Sequence, residues 1–224
     1  SPTVTLSTFL DNSSSQDGGA VYNSESSPTF SRCLFRGNRA LGKGGAMSNA
    51  ASSPALVDCV FSDNRSAHDG GAMHNDGDSS PQLSDCTFSG NTSDHDGGGI
   101  SFYGANPVVG HCTFSGNTAA QAGGGIHSLS SSPTVTHCAF AGNTAEDDGG
   151  AIHSLSSLAV VTDCEFSDNV SSRGGAVYGA THRLEIVRCT FSGNAATAGG
   201  ALHLSDSDSS VADCTFLGNS SSGD

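Results

Sequence analysis

Cys112-Thr113-Phe114-Ser115-Gly116-Asn117, with Gly123-Gly124-Gly125-Ile126 starting six residues after its asparagine, returns with small changes along the whole chain. Reduced to C-x-F-x-x-N and G-G-[A/G]-[V/I/L/M], the pair places Phe9, Phe35, Phe61, Phe88, Phe114, Phe140, Phe166, Phe191 and Phe216 at steps of 25 to 27 residues. Three residues after each stands an asparagine: Asn12, Asn38, Asn64, Asn91, Asn117, Asn143, Asn169, Asn194 and Asn219. Two residues before each stands a cysteine, Cys33, Cys59, Cys86, Cys112, Cys138, Cys164, Cys189 and Cys214, with Ser7 in the first copy. Self-similarity at a period of roughly 20 to 50 residues marks stacked-repeat architectures, in which each unit buries its apolar face only against its neighbours.

By length alone the 224 residues make one large or two ordinary domains. The unbroken repeat favours a single elongated domain over residues 1–224, since a solenoid grows by adding units. Only 35% of residues are hydrophobic and 30 are glycine, numbers that suggest disorder when the apolar residues are scattered. Here they recur in register, which argues for order. The balance of 8 Lys and Arg against 22 Asp and Glu gives a formal charge of -14. Such a polyanion is repelled by phosphate backbones, so nucleic acid is not an expected partner. No window approaches the roughly 20 apolar residues of a membrane helix, so direct membrane insertion is not expected either. The chain opens inside a repeat at Ser1-Pro2-Thr3-Val4, which reads as a segment or processed part of a longer surface protein.

No window carries apolar residues at the i, i+3, i+4, i+7 spacing of a helix, and Gly, Ser, Asn and Asp are poor in helix interiors. Short runs with the period-two alternation of a strand recur instead, at 4–9, 109–114, 135–140 and 186–191, with a second run after each glycine pair. About 26 residues with two or three short strands and tight turns match one coil of a parallel β-helix. The chain is thus all-β, with about nine coils of 25 to 27 residues stacked at roughly 4.8 Å. Phe, Cys and the aliphatic after each glycine pair (Met47, Met73, Ile100, Ile126, Ile152) are expected to point inward, each on its counterpart one coil below, as in stacked in-register strands. The asparagine column is expected to turn a corner and bond to the next asparagine or to backbone. The glycine pairs suit bends that need positive φ or close backbone approach. A longer connection at 179–183 and a frayed tail at 220–224 are expected to break the regularity.

F-x-x-N coupled to G-G-A-[I/L/V] resembles the repeat of the chlamydial polymorphic outer membrane proteins. More broadly it is similar to right-handed parallel β-helix proteins of pectin-lyase-like architecture. The resemblance covers almost the whole chain in eight or nine coupled copies. It implies a right-handed β-helical passenger of the autotransporter-adhesin kind, extracellular or displayed at the cell surface. No membrane barrel of the sort those proteins carry is present in these residues.

Several groups are candidates for chemistry. The eight cysteines occupy one equivalent position per coil, where parallel side chains suit a disulfide dihedral badly; they read as a column of small buried thiols, with pairing in adjacent twos as the alternative. Three residues before each Phe lies an outward row: Leu6, Arg32, Asp58, Asp85, His111, His137, Asp163, Arg188 and Asp213. General acid–base work needs two or three such groups converging in a cleft, so the row reads as a solvated charge ladder. A third row, Tyr22, Ser48, His74, Ser101, His127, His153, Tyr178 and His203, reads as surface, with no third ligand to complete a metal site at His127 and His153. The acidic bends at Asp94, Asp96, Asp147 and Asp148 offer oxygen ligands of the kind Ca²⁺ takes, without the spacing of an EF-hand.

Nearly every recurring residue is therefore explained by stacking. The expected function is a non-enzymatic, extracellular structural or adhesive rod, with no catalytic residues. Its expected partners are its own ends or flanking parts of the same chain, and a host or neighbouring-cell surface. The alternative of another class is a polysaccharide lyase or glycoside hydrolase acting on an acidic glycan from the same scaffold.

Overall fold

The computed structural model describes residues 1–206 and 208–223, all of them in β-strands, turns and loops. The fifth copy of the repeat shows the plan of a coil. Strand Val108–Gly110 leads through His111 into Thr113–Ser115, and then through Gly116 and Asn117 into Thr118–Ala119. A loop at 120–122 and the glycines reach Ile126–Leu129, and Ser130 turns the chain towards the next coil at Thr134–Thr136. Each of the first eight coils thus contributes four strands, not the expected two or three, and the described residues of the last contribute three. The strands collect into three sheets of nine and one of eight, each strand hydrogen-bonded to its equivalents one coil before and after. Pairing is parallel, and equivalent residues meet: Phe88 with Phe114, Phe114 with Phe140, Ile126 with Ile152.

Corners make the winding, and they are made by backbone in the left-handed region. The residue before each Asn is Gly or Asp throughout (Asp63, Gly90, Gly116, Gly142, Asp168 among them), all at φ near +60°. These residue types tolerate that conformation best. The first glycine of each pair has positive φ as well, +69° at Gly123. The second serves another purpose: a Cβ on Gly124 would sit 2.3 Å from the carbonyl oxygen of Gly150 on the next coil. Two backbones pass there at a distance no side chain permits.

The interior is a set of columns. Adjacent Phe rings of the second sheet stack with centroids 4.5 to 4.9 Å apart and planes within 6° of parallel. Phe35, Phe61, Phe88, Phe114, Phe140, Phe166 and Phe191 are fully or almost fully buried. Burying one such side chain is worth about 1.5–3 kcal/mol, and an offset stack adds roughly 0.5–1.5. Beside them run the cysteines, all eight free and all but Cys214 buried. Opposite lie the middle residues of the first sheet (Val109, Val135, Val161) and the leading aliphatics of the fourth.

Two expectations about irregularity change. Residues 179–183 are no insertion, because Ser156 and Thr181 occupy the same corner and Val160 pairs with Glu185 in unbroken register. The shortening of that repeat falls instead before Gly174, where strand Val170–Arg173 takes up most of the third loop. At the C-terminal side, Ser220–Ser221 pairs with Ala195 and Ala196 and extends the third sheet, so these residues are not frayed. Asp224 lies outside the described residues.

Candidate functional surfaces

The asparagine corner is the most complete polar structure in the molecule. Asn117 Nδ2 donates to the Phe88 carbonyl at 3.0 Å and to Asn143 Oδ1 at 2.9 Å, while its backbone N–H donates to the same Oδ1 at 3.1 Å. Its own Oδ1 accepts both donors of Asn91. The same set repeats through Asn38, Asn64, Asn91, Asn143, Asn169 and Asn194. Every one of these amides is 0–1% exposed, and a buried amide needs all of its partners.

A second amide ladder escaped the sequence reading. Asn23 Nδ2 donates to Asn49 Oδ1 at 2.8 Å, and Asn49 Nδ2 to Asn75 Oδ1 at 2.9 Å, from the third position of the fourth-sheet strands. It stops where Phe102 takes the position next to Asn75. Serines at the fourth corner make a third ladder, Ser52 N–H on Ser79 Oγ and Ser131 N–H on Ser157 Oγ.

From Cys33 to Cys164 the cysteine column is chemically quiet. Each thiol lies on the carbonyl two residues before it, as Cys112 does on Gly110 at 3.2 Å, and Cys112 N–H reaches Cys138 Sγ at 3.4 Å. Contact with the next thiol, followed by burial, pushes Cys86 and Cys112 up to about 12. Thiols held protonated are poor nucleophiles and poor metal ligands at neutral pH. Cys59 and Cys33 are raised as well, the first chiefly by Cys86 and the second by burial; Cys138 and Cys164 also stand at about 12, and Cys189 is lowered by Cys164.

The outward row before the Phe column lies on the first corner, every member at φ between 50° and 56°. Leu6, Arg32 and Arg188 occupy this left-handed position although such side chains rarely do. His111 and His137 stack at 4.9 Å on successive coils. Arg188 clamps Asp163 through two bonds of 2.7 and 2.6 Å, and this pairing holds the Asp163 carboxyl below its ordinary value. A shallow cleft of about 280 Å³ opens beside them, lined by His111, His137, Asp163 and Glu165. Asp58 and Asp85 stand exposed further along the same row.

The calcium candidates do not converge. Asp94 pairs with Arg65 at 2.9 Å, and Asp96 accepts Ala122 N–H at 3.0 Å. Asp148 is held by Arg173 through bonds of 2.7 and 2.8 Å. A whole coil, with Gln121 and Ala122, separates Asp94 and Asp96 from Asp147 and Asp148. Among the described residues no three His, Cys, Asp or Glu side chains are gathered for a metal ion.

In the row read as surface, the histidines of the inner coils are buried, and this is the largest correction. His74, His127 and His153 are only 2%, 6% and 5% exposed, although they point away from the core. The third-corner loops fold over them: Asp96 approaches His127 Nε2 at 3.6 Å, and the Arg173 guanidinium lies 5.1 Å over the Tyr178 ring. Burial, opposed by Asp96 and Asp69, lowers His127; burial followed by His127 and Arg173 pushes His153 well down. Burial and Lys43 bring His74 to about 4.

A family model described as "Right handed beta helix region" matches residues 1–109 and, in an overlapping second match, residues 76–224. Comparison with curated proteins and with solved structures returns no match.

Proposed function

The chain belongs to the right-handed beta helix family, and on that premise we propose that it works as a non-enzymatic rod displayed outside the cell, structural or adhesive in role. The observation that carries this reading is the consumption of polar groups by the stack. Asparagines, corner serines and thiols, along with many carboxylates, are turned to neighbouring coils. What faces solvent is a low, repetitive surface with shallow clefts. Fold membership alone leaves the role open, because function resides in sites and not in scaffolds. The likeness of the F-x-x-N and G-G-A repeats to those of chlamydial surface adhesins supports the displayed, adhesive form. The Phe column ends on Phe216, 46% exposed, a ring able to take a further coil from the same chain or from a second copy. Electron microscopy of the purified protein over a wide concentration range tests assembly: end-to-end filaments support it, and strictly monomeric rods refute that part.

The enzymatic reading is favoured by one observation, the cleft at His111, His137, Asp163 and Glu165. Chain shortening of polygalacturonate that disappears in Asp163→Ala or Asp85→Ala would replace the rod with a glycan-cleaving enzyme.

A further inference from the structure

Outside the core, the fourth sheet carries a second stack of rings. His127 lies 5.0 Å from His153 at 6°, His153 lies 5.2 Å from Tyr178 at 18°, and Tyr178 lies 5.3 Å from His203 at 8°. Nδ1 of His127 and Nδ1 of His153 are both buried and have no partner. A neutral imidazole tolerates this, since one of its nitrogens carries no proton. An imidazolium does not, because both nitrogens then carry N–H groups that must be satisfied. Two stacked imidazolium rings would also place like charges about one strand spacing apart in a dry site.

The surroundings rank the two rings. On the loop side His127 faces Asp96 and, further off, Asp69, so a proton there finds a carboxylate. His153 faces Arg173 on the loop side and His127 and Tyr178 along its own sheet. Asp148, on the loop one coil before, already holds Arg173 with both oxygens. Elsewhere in the row Ser48 and Ser101 are small and flank His74, which has no ring on the coil before or after it, so the stacking of rings is local to these coils.

We propose that the His127–His153–Tyr178 stack is an acid-operated latch, which holds the third-corner loops of the sixth and seventh coils down at neutral pH and lets them lift when it gains protons. The first proton settles on His127 against Asp96. The second, on His153, meets Arg173 and a charged neighbour, and is accommodated only when the two loops carrying Asp148 and Arg173 move away and admit water. The Phe and Asn columns lie on other sheets, so the rod keeps its winding while one edge opens. A rod whose edge loosens reversibly in acid exposes strand Ile152–Leu155 and its flanking loops to a partner or a protease.

Hydrogen exchange of the intact protein at pH 7 and pH 5, corrected for intrinsic rates, reads the latch directly. Peptides covering residues 146–155 and 171–180 are expected to lose protection by at least about tenfold in acid, while peptides covering 84–93 hold. His153→Tyr, which puts in this column a side chain it already accepts at Tyr178, is expected to abolish the change. His127→Phe is the second variant, should the first fold poorly, and is expected to raise the protection of 146–155 at pH 5. Protection unaltered down to pH 5, uniform loss over all coils, or an acid response that persists in both variants would overturn the proposal.

Discussion

Replacing Asn117 by leucine removes one rung of the asparagine ladder without removing volume. Four side-chain hydrogen bonds go: two that Asn117 Nδ2 donates, to Phe88 O and Asn143 Oδ1, and two that its Oδ1 accepts from Asn91. Asn143 Oδ1 keeps the backbone N–H of residue 117, and Asn91 Nδ2 keeps the Phe61 carbonyl. The Asn91 backbone N–H and one Asn91 amide hydrogen lose these partners in a region 0% exposed, while the Phe88 carbonyl stays in the parallel ladder to the next coil. Each orphaned buried group costs about 1–3 kcal/mol, and the two share one neighbourhood, so the sum is about 2–5 kcal/mol. In a solenoid the damage is local before it is global, because each coil contacts only its neighbours. Urea unfolding is therefore expected to lose its single transition, and hydrogen exchange is expected to rise first around residues 88–93 and 114–119. A midpoint within about 0.5 kcal/mol of the parent, with exchange unaltered there, would refute the reasoning, because it would mean that the amides satisfy nothing that water or leucine leaves unsatisfied.

Gly124→Ala is expected to destabilise by at least about 3 kcal/mol in thermal unfolding, since its Cβ would meet two backbone oxygens at 2.3 and 2.5 Å. Gly116→Asp is expected to cost less than about 1 kcal/mol: nothing lies within 4 Å of its Cβ, and Asp63 and Asp168 hold the sister corners. His74 sits at about 4 folded against its ordinary 6.5, so as pH falls below 6.5 the unfolded chain binds a proton the folded chain refuses. Stability is thus fully present above pH 6.5 and falls by about 3 kcal/mol towards pH 4, and His74→Gln is expected to flatten that slope; a slope unchanged in the variant would contradict it. A thiol reagent is expected to leave Cys59, Cys86, Cys112, Cys138 and Cys164 unmodified until the protein is denatured; rapid labelling of Cys112 in the native state would show that the column is open.

Much of this arrangement is legible in the residues, and where it is not the reasons are physical. Phe, Asn and the glycine pairs recur at every coil with a fixed type, and only stacking asks for the same side chain each time. Strand number was misjudged because the third-sheet strands, such as Thr118–Ala119, are mostly two residues long, too short for alternation to show. The Asn23–Asn49–Asn75 ladder runs through three coils only, so it never reads as a repeat. Its signal was still present: the residue two after each inward aliphatic faces inward as well. Corner residues such as Arg32 and Arg188 carry no mark of a left-handed backbone, which the winding imposes on them. The buried histidines were misplaced for a tertiary reason. His127 and His153 do point outward, as period two demands, but loops carrying Asp96, Asp148 and Arg173 close over that face. No local pattern announces a loop that lies down on its neighbour.

The central claim is that the backbone winds once per recurrence, so equivalent residues rise along one line. Spin labels placed at outward positions of the second sheet measure this, pairing position 36 in turn with 115, 167 and 192, which stand three, five and six coils away. The rod predicts separations of about 14, 24 and 29 Å, a straight line with a slope of roughly 4.8 Å per coil. Separations that do not grow with coil number, or a slope far from one strand spacing, would contradict it.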